Sequence, residues 1–167
     1  MAETASTIFR IVPTTTPEQL LHARQLFTEY AESLGFSLCF QNFDKELAGL
    51  PGDYAPPSGR LLLASVDDAV AGCIALHGIH SADSKDRICE MKRLFVRLKF
   101  RGHNLGRKLI DAVIAEAQAI GYERMRLDTV AGIMDSAIAL YRAYGFREIE
   151  PYCENPIPGA LYFELNL

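Results

Sequence analysis

No stretch of these 167 residues is apolar for long enough to cross a bilayer, and the opening MAETASTIFRIV has no basic segment followed by an apolar run. A membrane helix needs about 20 apolar residues and a secretory leader needs that order of charge and hydrophobicity, so neither is expected. Cysteine is sparse. Cys39, Cys73, Cys89 and Cys153 lie far apart, with no C-x-x-C pair. That spacing argues against a zinc site or a disulfide framework and points to reduced thiols in a cytoplasmic setting. Basic charge is in deficit, with 17 Lys and Arg against 21 Asp and Glu and a net charge of -4. Nucleic acid is therefore not expected as a partner. Two nucleotide-binding fingerprints are missing too. G-x-x-x-x-G-K-[ST] fails because Gly102 and Gly106 stand too close and Arg107-Lys108-Leu109 follows, and G-x-G-x-x-G does not occur. There is no internal repeat and no low-complexity segment. What remains, 49% hydrophobic and 23% charged, is ordinary for one globular domain with a proper core.

The informative residues concentrate between Ile88 and Gly121, ICEMKRLFVRLKFRGHNLGRKLIDAVIAEAQAIG. Ile88–Val96 reads as a strand, with Ile88, Glu90, Lys92, Leu94 and Val96 expected on one face and Cys89, Met91, Arg93 and Phe95 on the other. Leu105, Leu109, Val113, Ala117 and Ile120 then recur at helical spacing, and Gly121 supplies a left-handed stop. A strand that feeds a helix through glycines leaves free backbone N–H groups at the helix start. With the helix dipole they form an anion site. Local charge agrees: seven Lys and Arg, and no acid, lie between Lys92 and Lys108.

Taken in order, Ile8–Val12 reads as a first strand. Thr16-Pro17-Glu18-Gln19 is a helix start, with Thr as N-cap, Pro at the first position and Gln closing a capping box. Leu20, Ala23, Phe27, Tyr30 and Leu34 keep helical spacing up to Gly35. A short helical piece at 44–49 follows, and then a loop at 51–59 with three prolines and two glycines. Leu61–Val66 and Val70–His77 form a hairpin through Asp67-Asp68, and Ser81–Asp86 is a polar turn into the next strand. Past Gly121, Met125–Asp128 is the parallel return strand of a βαβ unit. Ser136–Tyr144 is a helix ended by Gly145, and Phe146–Ile149 and Leu161–Leu165 finish the sheet around a proline-rich loop, 151–159. The fold class is mixed α/β in a single domain, with helices on both faces of the sheet.

Arg101-Gly-His-Asn-Leu-Gly106 resembles the R/Q-x-x-G-x-G/A loop of the GNAT superfamily of acyl-CoA-dependent N-acetyltransferases. Asn104 replaces the family's middle glycine, and Asn is the residue next best suited to positive φ. Ala139-Leu-Tyr-Arg-Ala-Tyr-Gly-Phe146 resembles the family's second signature, with Met134 where an Asn is common. With the element order, the likeness covers nearly the whole chain. It implies a GNAT-like, mostly antiparallel sheet of about seven strands. It also implies acetyl-CoA as co-substrate, no metal, and transfer of acetyl to a primary amine by direct attack in a ternary complex. Arg101, Gly102, His103, Asn104, Leu105, Gly106 and Arg107 would hold the pyrophosphate of coenzyme A. Main-chain groups at Leu94 and Val96 would pair with the pantetheine, and an N–H near Phe95 would meet the oxyanion. The acceptor, small molecule or peptide, stays open, as do acyl length and the choice of monomer or homodimer.

An alkylamine has a pKa near ~10.4, so holding it neutral near pH 7.4 costs about 3 units, or roughly 4 kcal/mol. A base is worth ~10²–10⁴ in rate. The resemblance places Glu90, eleven residues before Arg101, at the strand glutamate that serves as base in some GNAT enzymes, while others use a water chain. Beside Ile88, Leu94 and Val96, desolvation would raise its pKa; the plain alternative is a surface glutamate paired with Lys92. Tyr141 matches the tyrosine beside the coenzyme's sulfur and would protonate the departing thiolate; otherwise it is a core aromatic. His77-x-x-His80 has no third ligand, and strand residues three apart face opposite ways, which argues against a metal. Asp128-Thr129 lie at the C-terminal end of a parallel strand, where substrates collect. Phe36–Phe43, with Gln41, falls in the acceptor-pocket region the resemblance implies. No cysteine stands in a nucleophile arrangement. A non-catalytic acyl-CoA-binding or sensing module is the alternative function, and the presence of both Glu90 and Tyr141 weighs against it.

Overall fold

Capping sets where the first helix begins. In the computed structural model, which describes residues 6–80 and 85–167, Thr16 accepts from the Gln19 N–H at 3.2 Å and the Gln19 side chain accepts from the Thr16 N–H at 3.0 Å. The expected capping box therefore opens α1 (Pro17–Ser33), with Pro17 in its first turn and Ala23, Leu26 and Phe27 on its buried face. β1 (Phe9–Pro13) precedes it and α2 (Phe43–Gly49) follows. Then come β2 (Arg60–Val66), β3 (Ala69–Ile79), β4 (Ile88–Val96), α3 (Leu105–Ile120) and β5 (Arg124–Val130). α4 (Asp135–Ala143), β6 (Arg147–Ile149) and β7 (Ala160–Asn166) complete the chain, in the order read from the sequence. Asp67 and Asp68 both take positive φ, 48° and 68°, the two-residue hairpin geometry that matches strand twist. Residues 81–84 of the expected polar turn lie outside the described residues.

The seven strands form one sheet in the order β1-β2-β3-β4-β5-β7-β6. Every neighbouring pair is antiparallel except β4 with β5. β2 shows how the sheet divides its core: Leu61 and Leu63 pack under α1 with Leu26 and Phe27, while Leu62 and Ala64 pack with Leu109 and Val113 of α3. Ile138 of α4 joins the second cluster, so helices cover both faces. Among the described residues, no helix is long and apolar enough to cross a membrane.

β4 departs from regularity twice. It pairs with β5 only from Ile88 opposite Arg124 to Glu90 opposite Arg126, and beyond that the parallel strands part. Against β3 its register shifts: Cys73 faces Phe95 but Ala75 faces Lys92, so β4 carries one extra residue there. Arg93, inside this bulge, has φ 61°. An inserted residue moves every later side chain to the opposite face. Leu94 and Val96 consequently pack with Cys89 and Met91 on the α3–α4 side, and Phe95 packs on the α1 side. This corrects the unbroken alternation expected for the strand. Glu90 does not share a face with Leu94 and Val96.

Candidate active site

The start of α3 is built as an anion cradle. Gly102 and Asn104 both take left-handed conformations, φ 85° and 58°. Asn104 caps α3 without a side-chain hydrogen bond, and the first turn holds no acid. The N–H groups at this helix end are therefore left for a ligand. A Cβ on Gly106 would meet only Leu140 Cδ2, at 3.6 Å, so the fold itself has room for a larger residue. Beside the cradle runs a groove of about 440 Å³. Leu94 and Val96 of β4, Ala137 and Leu140 of α4, and Arg101, Gly102, Asn104, Leu105, Gly106 and Arg107 line it. Cations and free N–H groups at one end and an apolar channel at the other suit a pyrophosphate with a pantetheine arm. The His103 and Phe95 side chains lie elsewhere, with their rings against Phe9 at 6.5 Å and Tyr30 at 6.2 Å.

On the α2 side of the sheet opens a cavity of about 690 Å³. Phe40, Gln41, Glu46, Tyr54, Cys153 and Glu154 help to wall it, and His77, Glu90, Lys92 and Asp128 rise from the strands. The Glu90 side chain is only 9% exposed. It accepts from His77 Nε2 at 3.0 Å and the Tyr152 hydroxyl at 2.6 Å, and Lys92 Nζ lies 3.3 Å away. Burial alone would raise its pKa. The His77 hydrogen bond, the Lys92 charge and the Tyr152 hydroxyl outweigh burial and hold the carboxyl down at about 2. The expected upward shift is thus reversed: desolvation is present, but pairing wins. His77 Nδ1 faces the Gly78 carbonyl at 3.0 Å, so the ring is fixed from both nitrogens.

Several of these residues carried no functional signal in the sequence. Tyr152 and Asn155 come from the proline-rich loop before β7. Asn155 Nδ2 donates to Asp128 Oδ2 at 3.1 Å, and Gln41 Nε2 reaches the same oxygen at 3.4 Å. His77 was visible only as half of a metal-like spacing. Arg93, 3% exposed, belongs to the run of basic residues expected around the anion site, but it lies away from that groove. It donates to Glu46 at 2.9 and 3.2 Å, and its guanidinium lies over the Phe43 ring at 5.2 Å. Glu46 also accepts from the Tyr54 hydroxyl at 2.9 Å, so α2 is tied to the β4 bulge by a bidentate, charge-assisted contact.

Tyr141 sits in the core, 4% exposed, with its ring 5.7 Å from Phe146, and it lines neither the groove nor the cavity. Burial raises its pKa, with smaller contributions from Tyr30 and Asp128, so the hydroxyl keeps its proton at neutral pH. Between groove and cavity lies the gap left by the parting strands. Met91, Lys92 and Arg93 line it from β4, and Asp128, Thr129 and Val130 from β5.

A parallel pair that splays beside an uncapped helix start, next to a polar cavity, is the architecture of an acyl-CoA-dependent transferase. The chain belongs to the acetyltransferase (GNAT) family, whose profile matches residues 20–146. It is 39% identical over 152 residues to an uncharacterized N-acetyltransferase of Schizosaccharomyces pombe, covering 90% of each chain. Its fold is similar to that of an acetyltransferase from Streptococcus agalactiae 2603, with TM-score 0.75 and 22% identity over 95% of this chain and 98% of that one. The yncA structure from Salmonella typhimurium, solved with its cofactor acetyl-CoA, has TM-score 0.67 and 18% identity over 95% and 93% of the two chains. The protein is an N-acetyltransferase, with acetyl-CoA as the co-substrate typical of its family and an acetyl acceptor as second substrate. The alternative of a non-catalytic sensing module is set aside.

Proposed function

We propose that the chain, acting as one domain over residues 1–167, transfers acetyl from acetyl-CoA directly to a primary amine in a ternary complex. The observation that carries this reading is the free edge of β4. From Met91 to Val96 the strand has no β5 partner, and it runs from the cavity at Lys92 to the groove at Leu94 and Val96. A thioester laid along the groove and an amine entering through the cavity meet along that edge. Arg101–Arg107 hold the pyrophosphate, His103 contributing its main chain. Main-chain groups at Leu94 and Val96 pair with the pantetheine, and an N–H near Phe95 stabilises the oxyanion.

The neutral nitrogen attacks the thioester carbon, and collapse of the tetrahedral adduct breaks the C–S bond. Tyr141, which lines neither the groove nor the cavity as they stand, gives a proton to the departing sulfur once the bound thioester reaches in to its hydroxyl. The proton shed by nitrogen passes to Glu90, directly or through water. A carboxylate at about 2 is a weak base toward a free ammonium, but the N–H of the adduct is far more acidic, and that is where Glu90 acts. Direct transfer is supported by Cys153, the cysteine lining the cavity: burial, with the charges of Asp128 and Glu90, pushes its thiol up to about 11. A thiol held protonated is a poor nucleophile. The four cysteines are all unpaired, which fits a reducing, cytoplasmic setting.

The test is acetyl-CoA-dependent thiol release across amine classes, with both substrates varied. Intersecting double-reciprocal lines with one class support the proposal. Parallel lines would overturn the ternary complex, and release with no amine would overturn the acceptor.

A further inference from the structure

We infer that Asp128 selects a positively charged acceptor, holding the ammonium of an alkylamine at the gap where β4 and β5 part. This rests on the amine-transfer reading above. Asp128 borders both the acceptor cavity and the gap. Its Oδ2 is fixed by two neutral amides, Gln41 at 3.4 Å and Asn155 at 3.1 Å. Among the described residues, Oδ1 has no hydrogen-bond donor, and no Lys, Arg or His pairs with the carboxylate. Of the other acids lining the cavity, Asp53 and Glu154 are exposed and likewise form no ion pair among the described residues, whereas the less exposed ones are matched. Glu90 is matched by His77 and Lys92, and Glu46 by Arg93. A half-buried carboxylate held in place by amides, with one oxygen unpartnered, lacks a cation, and an ammonium supplies the charge and the donor together.

Position supports the same assignment. Lys92 and Asp128 flank the opening from opposite strands, two residues beyond the last paired positions, Glu90 and Arg126. The Asp128 charge also reaches the Tyr141 hydroxyl, adding to the effect of burial there. The ammonium is the form that docks on Asp128; before attack it releases one proton to solvent through the open cavity, and the neutral nitrogen left at the gap adds to the thioester. A neutral arylamine or an alcohol offers Oδ1 no charge, and the site as built discriminates against both.

The experiment compares benzylamine, a cation at neutral pH, with aniline, neutral and of similar size. Both are tested with the wild type, Asp128→Asn and Asp128→Glu, after calorimetry has shown that each protein binds coenzyme A. The wild type is expected to favour benzylamine. Asp128→Asn should lose roughly 10- to 100-fold in kcat/KM for benzylamine, mainly through KM, as for a lost hydrogen bond to a charged group. Its rate with aniline should fall by a clearly smaller factor, so that the benzylamine preference shrinks, and Asp128→Glu should restore part of that preference. If Asp128→Asn does not fold, Asp128→Ser makes the same comparison. Wild-type kcat/KM for benzylamine in a coenzyme-competent Asp128→Asn protein would overturn the inference while leaving amine transfer standing. If the wild type acetylates neither these nor any other amine class in the thiol-release screen, the acceptor reading falls and takes this inference with it.

Discussion

Replacing Glu90 with Gln removes one charge and almost no volume from a cavity carboxylate that His77, Tyr152 and Lys92 all contact. In the fold the Glu90 carboxyl titrates at about 2, against an ordinary value of 4.5. At ~1.4 kcal/mol per pH unit, that gap amounts to about 3 kcal/mol of stability at neutral pH. Because the folded pKa is the lower one, this stability is fully present above 4.5 and is lost as pH falls toward 2. Gln retains an oxygen that can accept from Tyr152, so the measured loss should fall at about 1–3 kcal/mol. Urea denaturation of wild type and Glu90→Gln at pH 7 should show that difference, and repeating it near pH 3 should show it shrinking. Identical midpoints at pH 7, or a gap that stays constant into acid, would refute the pairing. Kinetics offer a second check. Glu90 remains ionised from pH 5 to 9, so the variant should lose activity by a similar factor throughout, roughly 10²-fold. An acid limb between pH 5 and 7 that disappears in Glu90→Gln would show that the carboxyl titrates there, and the low pKa would be wrong.

Gly106→Val places its branched side chain where the fold offers space, since the nearest atom to a Cβ is Leu140 Cδ2 at 3.6 Å. The melting temperature should hold while coenzyme A affinity, read by calorimetry, falls at least ~10-fold; unchanged affinity would remove this helix start from the binding site. Tyr141→Phe deletes one buried hydroxyl and should lower kcat by roughly 10–10³ with coenzyme affinity unchanged, whereas a wild-type kcat would leave Tyr141 as packing. Arg93→Met strands Glu46 in a partly buried site and should cost about 3–5 kcal/mol by chemical denaturation. Adding Glu46→Gln to it should recover part of that loss, and simple additivity would show that the pair is not coupled.

What could be read from the sequence was whatever is written in consecutive residues. The capping box at Thr16, the Asp67-Asp68 turn and the glycine-containing loop from Arg101 to Arg107 are local, and periodicity with turn chemistry locates each of them. The polar cavity is assembled across the fold. His77 lies 13 positions from Glu90, Tyr152 lies 62 from it, and Gln41 lies 87 from Asp128. Glu90 does lose water, but not to the strand neighbours expected, because the bulge turns Leu94 and Val96 to the other face. Its pairing partners come from β3 and from the loop before β7 as well as from β4, and they decide the sign of its pKa. The bulge was hidden for another reason: alternation in a sequence records which residues are apolar, not where a partner strand slips by one. That slip is what gives one strand a face in each of two pockets. Before Arg93, Glu90 and Lys92 face the polar cavity; after it, Leu94 and Val96 face the groove beside α3. Without the extra residue, Leu94 and Val96 would turn onto the cavity face with Glu90. The free edge of β4 would then carry its groove-lining side chains on the wrong side of the sheet.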